Sequence, residues 1–305
     1  MSTLGSRQLE GRTLGIVGLG LIGASLAAAL RARHVSVTIC GYDQSRESSA
    51  RALELGYVDQ VADSPQTLCK TCDLVVLAVP VLSTESVLRA LAPALSDGGT
   101  VVTDVGSVKC VVDKAAHAVF GELPSWLVPG HPIAGSEFSG VNAANPALYK
   151  NHQVILTPAE DTEPGALDLV TSLWQAVGAS VEVMSVSRHD EVLAATSHLP
   201  HLLAFSLVDS LAQESEKYEI FHYAAGGFRD FTRIAASDPT MWHDIFLSND
   251  QATLDVLDRY MKHLQTVRDA LATGDGDTLF DVFTRAKKAR DHFSRVLDER
   301  QSSTT

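Results

Sequence analysis

The sequence predicts an α/β fold in two parts: a doubly wound parallel sheet domain over residues 1–185, then an all-helical domain over residues 186–305. Three observations carry this expectation. Short apolar runs alternate with helical stretches as far as residue 184, the alternation that builds a parallel sheet covered on both faces. Gly18, Gly20 and Gly23 stand between the first apolar run and the first helical stretch, in the spacing of a dinucleotide-binding loop. From Ser185 onward there is no strand-like run, only long periodic segments punctuated by Ala224-Ala-Gly-Gly227 and Gly274-Asp-Gly276. The glycine spacing makes the first part Rossmann-type.

Residues 13–17 form the first apolar run, and residues 21–33, rich in Ala and Leu, the first helix. Residues 35–39 are β-branched and read as a second strand reaching Gly41-Tyr-Asp43. A helix is expected over 46–55, stopped by Gly56. Residues 73–80 are almost continuously apolar and end at Pro80, as expected of a strand buried on both faces. Further helices are predicted at 87–95, 111–120 and 167–177, and further strands at 100–104, 126–129, 153–158 and 180–184, all in one parallel sheet. In the second part the periodic segments are 188–213, 241–273 and 278–300, with Ser237-Asp238-Pro239 as a helix start. Long amphipathic helices of this kind bury more surface than one copy covers, so a homodimer through the helical domain is expected.

The chain has 305 residues, 45% hydrophobic and 20% charged, with a formal net charge of −13. That charge argues against nucleic acid and anionic membranes as partners. An anionic small-molecule substrate then requires local cations, which draws attention to the arginines of the helical part. Residues 14–30 carry no charge, like the core of a signal peptide, but they are short for a membrane span and hold the glycines in register, so a cytoplasmic protein is expected. The four cysteines include one Cys69-x-x-Cys72 pair without a second pair to complete a zinc site, and they read as reduced thiols.

In the glycine loop, Gly18 permits the tight turn, Gly20 lets backbone approach a pyrophosphate, and Gly23 allows helix and strand to pack closely. Leu21 and Ile22 begin the helix whose free N–H groups face the phosphates. Asp43 lies twenty residues beyond Gly23, where a carboxylate takes the ribose hydroxyls and favours NAD over NADP; Arg46 beside it softens that preference. Val79, Pro80 and Asp104 fall at the carboxyl ends of predicted strands, on the same edge. Ser107, Lys109, His131 and Glu137 are polar groups of that edge, with His131 in a Gly/Pro-punctuated loop. The helical part adds His189, His198, His201, Arg229, Asp230 and Arg233. His198 and His201 are three apart, but no further ligand stands at a matching spacing, so no metal is expected.

Gly18-Leu-Gly-Leu-Ile-Gly23, Asp104-Val-Gly-Ser-Val-Lys109, Gly130-His-Pro-Ile-Ala-Gly-Ser-Glu137, Ser197-His-Leu-Pro-His201 and the stretch from Gly227 to Pro239 together resemble the prephenate dehydrogenases, a group that includes arogenate and cyclohexadienyl dehydrogenases. The resemblance spans both parts of the chain. It implies oxidative decarboxylation of prephenate, or of arogenate, with hydride transfer to NAD in tyrosine synthesis. It implies His131 as the catalytic histidine that accepts a hydrogen bond from the ring hydroxyl, with Ser107 orienting it. It further implies Arg233 as the group that grips a substrate carboxylate, His201 as a second substrate ligand, and Glu137, Asp230 and Trp242 as gate and pocket wall. No stretch resembles a chorismate mutase or a regulatory domain, so a single activity is expected, with any feedback by tyrosine acting at the active site.

Two other readings fit the sequence less well. A β-hydroxyacid dehydrogenase would need a catalytic lysine in the helical part, where residues 185–257 offer only Lys217. A nicotinamide-sensing protein without turnover would have no use for Ser107, His131 and Arg233 together.

Overall fold

The computed structural model describes residues 4–95, 99–214 and 221–302, so Lys217 lies outside the described residues. The chain folds as two compact units, Met1–Asn249 and Asp250–Thr305. The change of character near residue 185 falls where the last strand gives way to helices. The first helices beyond it belong to the same unit as the sheets.

The first unit opens with α1 (Leu4–Leu9) and β1 (Thr13–Val17), followed by α2 (Leu21–Ala32), β2 (Thr38–Tyr42), α3 (Arg46–Glu54), β3 (Gln60–Val61), α4 (Pro65–Cys69) and β4 (Leu74–Leu77). Then come α5 (Thr84–Leu95), β5 (Val101–Asp104), α6 (Lys109–Phe120) and β6 (Leu127–Val128). Six parallel strands form a sheet in the order β3-β2-β1-β4-β5-β6. Side chains alternate across it, and both faces are covered. Leu14, Ile16, Leu74 and Val76 pack into a core that includes α2. Val17, Val75, Leu77 and Val102 pack on the other side with Leu68, Leu88, Leu91 and Ala115 from α4, α5 and α6.

The strand expected at 35–39 is displaced to Thr38–Tyr42. His34 takes a left-handed conformation at φ 55°, and a turn bonds Val37 N–H to Val35 carbonyl, so Val35 and Val37 are buried without joining the ladder. A larger correction concerns the last strands of this part. Residues 153–158 and 180–184 do not extend the parallel sheet. β7 (Gly130–Pro132), β8 (Gln153–Leu156) and β9 (Ser180–Val183) form a second, three-stranded sheet, with β7 antiparallel to β8 and β8 parallel to β9. Pro129 separates β6 from β7; it has no N–H to continue a ladder, and its carbonyl accepts instead from Thr157 N–H at 2.9 Å. His131 thus sits on a short strand, not in a loop. α7 (Pro164–Ala176) joins β8 to β9 and buries Trp174 against Tyr149.

The helical part begins with α8 (Val186–Leu193), a π-helical turn (Ala194–His198) and α9 (Leu199–Glu214). Pro200 explains the widened turn: its ring clashes with the carbonyl four residues back and it offers no N–H, so the ladder must reorganise just before it. The run Val186–Glu214 is long and apolar enough by composition to cross a membrane, yet its Asp190 accepts hydrogen bonds from the backbone at the start of α6. Next come α10 (Gly226–Thr232), a 3-10 turn (Arg233–Ala236) and α11 (Pro239–Ser248). Asp238 caps α11 by accepting from Thr240 and Met241 N–H, with Pro239 in the first turn as predicted. The segment expected to run from 241 to 273 breaks at Asn249 into two helices. In the second unit, α12 (Asp250–Thr273) and α13 (Gly276–Ser302) pack on each other around a turn at Gly274, φ 69°, and Asp275 accepts from Thr278 N–H at the start of α13.

Candidate active site

The glycine loop follows β1 and opens α2, as its spacing predicts. A Cβ on Gly18 would lie 2.2 Å from the carbonyl oxygen of Ala78, and the residue has φ 98°. A Cβ on Gly23 would lie 2.0 Å from the Gly18 carbonyl oxygen. Gly20 differs: a Cβ there would meet nothing within 4 Å, and it stands at the N-cap of α2 without a side-chain cap. Two glycines are therefore required by close packing, while the third faces an open space beside unpaired helix N–H groups. That arrangement fits a pyrophosphate. Leu21 and Ile22 form the first turn, and the Ile22 carbonyl accepts from the Tyr149 hydroxyl at 2.6 Å. Asp43 follows β2; its carboxylate accepts from Leu19 N–H inside the loop and from Ser45 N–H. It clamps the loop to the end of β2. Val79 and Pro80 follow β4 on the same edge, where the 3-10 turn Val81–Ser83 starts.

Asp104, expected to face the cofactor, is buried and already engaged. One carboxylate oxygen accepts from Gly130 N–H at 3.1 Å, and the other accepts from Gly106 N–H and from the Lys109 ammonium. Lys109, 0% exposed, also donates to the Gly130 carbonyl. Burial pulls this ammonium down from its ordinary range, and Asp104 and Asp190 oppose that pull. Asp104 and Lys109 thus join the end of β5 to the start of β7, directly before His131.

His131 Nδ1 lies 2.9 Å from His189 Nε2, and His189 Nδ1 lies 2.7 Å from an Asp190 carboxylate oxygen. The two oxygens of Asp190 also accept from Lys109 and Cys110 N–H, at 2.9 Å each. They cap α6, whose own N-cap residue Val108 offers no acceptor. Burial raises the Asp190 carboxyl, but hydrogen bonds from His189 and the two N–H groups outweigh it and hold the carboxyl below its ordinary value. Burial drives His131 well below the usual imidazole range, and His189, Lys109 and His198 push the same way. His189 is also lowered, by burial, against the pull of Asp190. Both imidazoles are neutral at neutral pH. Ser107 does not bond to His131, as had been expected of it; among the described residues its hydroxyl has no partner, and it does not cap α6. The ring is held by His189 instead.

His201, on α9, donates from Nδ1 to the Ser197 carbonyl at 2.8 Å and stacks on Trp242 with centroids 3.7 Å apart. The carbonyl can only accept, so Nε2 carries the lone pair. Trp242 is buried with Ile245 against Val81 and Val108, and so joins α11 to the cofactor edge. Arg233 is 64% exposed, with a guanidinium nitrogen 3.9 Å from a Glu137 carboxylate oxygen. Asp230 is exposed and pairs with Arg229 instead. His198 is packed, not presented: it is buried between Trp242 and Phe246, bonded to Asn249, and pushed down to about 4 by burial. Among the described residues no three His, Cys, Asp or Glu side chains gather as a metal site. Cys69 and Cys72 are free and buried, and burial pushes the Cys69 thiol up to about 11.

Asp190 and Asn249 were not singled out from the sequence. Asn249 donates to the Asp190 carbonyl and bonds His198, tying the end of α11 to α8 and the π turn. The one local signal for Asp190 was its adjacency to His189.

Against known proteins, the family model described as the prephenate dehydrogenase nucleotide-binding domain matches residues 26–183, and that for the prephenate dehydrogenase dimerization domain matches residues 185–285. A cyclohexadienyl dehydrogenase of Zymomonas mobilis is 42% identical over 91% of this chain and 94% of its own. A prephenate dehydrogenase of Bacillus subtilis is 40% identical over 92% of this chain and 75% of its own. The crystal structure of prephenate dehydrogenase from A. aeolicus with hydroxyphenyl propionate and NAD+ superposes with a TM-score of 0.86 at 37% identity, covering 93% of this chain and 99% of that one. A glycine loop fit for a dinucleotide, a half-buried histidine on the strand that follows the parallel sheet and matches through both halves of the chain lead to one conclusion: the chain belongs to the prephenate dehydrogenase family, a family of dehydrogenases that act on prephenate, arogenate or both.

Proposed function

We propose that the protein is an NAD-dependent prephenate dehydrogenase, converting prephenate to 4-hydroxyphenylpyruvate and carbon dioxide in tyrosine synthesis. The observation that carries this reading is His131: a neutral imidazole at the carboxyl edge of the sheet, anchored through Gly130 to Asp104 at the end of β5. Gly18, Gly20, Leu21, Ile22 and Gly23 would hold the pyrophosphate, Asp43 the ribose, and Val79 and Pro80 the nicotinamide side of the cleft. NAD, when bound, supplies the hydride acceptor. The Asp43 carboxylate disfavours a 2′-phosphate, which is the argument for NAD over NADP.

His131 accepts a hydrogen bond from the ring hydroxyl and draws electron density toward the carbon that loses hydride. Ser107, with an uncommitted hydroxyl, bonds the same ring oxygen. Arg233 grips a substrate carboxylate in a bidentate fork, for which the guanidinium is suited. His201, stiffened by its stack on Trp242, offers Nε2 to the substrate. Glu137, close to Arg233, and Asp230 form the gate. The protein acts as a soluble cytoplasmic homodimer; exposed Leu271, Phe280, Phe283 and Phe293 on the last two helices are the apolar surface such a dimer would cover.

A dual-substrate reading has one specific observation behind it: the Zymomonas mobilis relative is named a cyclohexadienyl dehydrogenase. The test is NADH formation by the purified protein with NAD and either prephenate or arogenate. Turnover of prephenate alone supports the proposal, and turnover of both supports the dual reading. Binding of NAD with no turnover of either would overturn both and favour a nicotinamide sensor.

A further inference from the structure

His131 meets His189 across 58 residues of sequence, and His189 meets Asp190 beside it. The direction of these bonds follows from chemistry. The Asp190 carboxylate can only accept, so His189 Nδ1 must donate. A neutral His189 then carries its lone pair on Nε2, which makes His131 Nδ1 the donor to it. A neutral His131 in turn carries its lone pair on Nε2. Asp190 is itself fixed by the two N–H groups at the start of α6, so the whole chain is anchored to the end of a helix.

We propose that His189, backed by Asp190, is a positioning residue that fixes His131 as the Nδ1–H tautomer and takes up the Nδ1 proton when His131 receives the proton of the substrate hydroxyl. His189 is 0% exposed and so has no surface for a substrate to meet; it acts through His131.

The proton transfer rests on the reaction proposed above, and it balances within it. As hydride passes from the ring carbon to NAD, the hydroxyl proton moves to His131 Nε2 and the His131 Nδ1 proton moves to His189 Nε2. The positive charge then rests on His189, against the Asp190 carboxylate 2.7 Å away, which His131 does not contact; the Lys109 ammonium disfavours charge on both rings. When the carbon–carbon bond to the ring carboxylate breaks, its electron pair completes the aromatic ring and the oxygen becomes phenolate. Both protons then return along the same path to give the phenol, so no net proton is released from the site. The other charged or titratable groups around the pair are Lys109, Asp104 and His198.

The test has two parts. Nitrogen-15 NMR of histidine-labelled protein, with His131 assigned by comparison with His131→Asn, reads the tautomer in the absence of substrate and needs no turnover. Nδ1–H on His131 is expected; Nε2–H would overturn the proposal whatever the enzyme's substrate. His189→Gln keeps an amide oxygen able to accept from His131 but cannot take up a proton. It should leave the His131 tautomer and the NAD affinity unchanged and lower kcat at least tenfold, with KM for the cyclohexadiene within about twofold. Unchanged kcat in His189→Gln would overturn the relay. If that variant does not fold, the wild-type spectrum still decides. If the wild-type protein turns over neither cyclohexadiene, the functional reading fails separately from the tautomer result.

Discussion

His131 and His189 share a hydrogen bond of 2.9 Å between Nδ1 and Nε2, and it joins a short strand of the second sheet to the first helix of the helical part. This bond makes the histidine of the sheet edge a fixed, neutral acceptor. It also places the site within one compact unit, because α8 is packed into the same unit as the sheets.

Replacing His131 with Asn removes the acceptor while keeping a small polar side chain. Removal of a general base of this kind typically costs 10²- to 10⁴-fold, so kcat should fall by about that much. NAD binding, followed by fluorescence titration, should be unchanged, because the glycine loop and Asp43 are untouched. A variant with near wild-type kcat would remove His131 from the chemistry.

Gly20 and Gly23 are predicted to respond in opposite ways to the same change. In Gly23→Ala the new methyl would stand 2.0 Å from the Gly18 carbonyl oxygen, so backbone must move. Overpacking of this kind costs roughly 1–3 kcal/mol, and the melting temperature should drop. Gly20→Ala meets nothing within 4 Å and should melt like the wild type. Its methyl would stand where the pyrophosphate approaches, and NAD affinity should weaken at least tenfold, by analogy with the loop geometry of dinucleotide sites. Equal melting and equal NAD affinity for both variants would contradict the assignment of the loop.

Arg233→Ala should raise KM for the substrate without affecting the fold. A charge-assisted hydrogen bond contributes about 1.5–3 kcal/mol, so the rise should be roughly 10- to 100-fold. Arg233 is 64% exposed and its pair with Glu137 spans 3.9 Å, so little stability depends on it. A lowered melting temperature with unchanged KM would make it a structural residue.

Acid should weaken the fold through the buried histidines. His198 is held at about 4 by burial, against its ordinary 6.5. Between those values the unfolded chain binds more protons than the folded one, so stability rises with pH across the window and is lost as pH falls through it. One such group contributes a slope approaching ~1.4 kcal/mol per pH unit, and His131 and His189 are shifted in the same direction. Denaturant midpoints measured across this window should fall with pH, and less steeply in His198→Gln. Parallel slopes would show that His198 is not buried in neutral form.

Much of this was legible in the sequence because it is local. The glycine spacing, Asp43, the apolar run before Pro80 and the cap at Asp238-Pro239 each lie within one short stretch. β7 was not legible: a three-residue strand containing His and Pro has no strand composition, and its place is set by pairing with β8. The partner of His131 Nδ1 was not legible for a related reason. Ser107 is near in the motif order, but Nδ1 of His131 is occupied by a group 58 residues away. The position of Asp104 was legible, but its bonds to Gly106, Lys109 and Gly130 were not, because two of these partners depend on how β5 meets α6 and β7. The boundary near residue 185 marks where strands end, which composition shows; the contacts that tie the first helix beyond it to the sheets, such as Asp190 to the start of α6, join groups about 80 residues apart and leave no local signal.

The most direct test of the central claim is a single-turnover reaction of the purified protein with NAD and prephenate, measuring NADH, carbon dioxide and the aromatic product together. One equivalent each of NADH, carbon dioxide and 4-hydroxyphenylpyruvate is predicted, with all three formed roughly 10²- to 10⁴-fold more slowly by His131→Asn. NADH formation that survives intact in His131→Asn, or bound NAD with no product in the wild type, would contradict it.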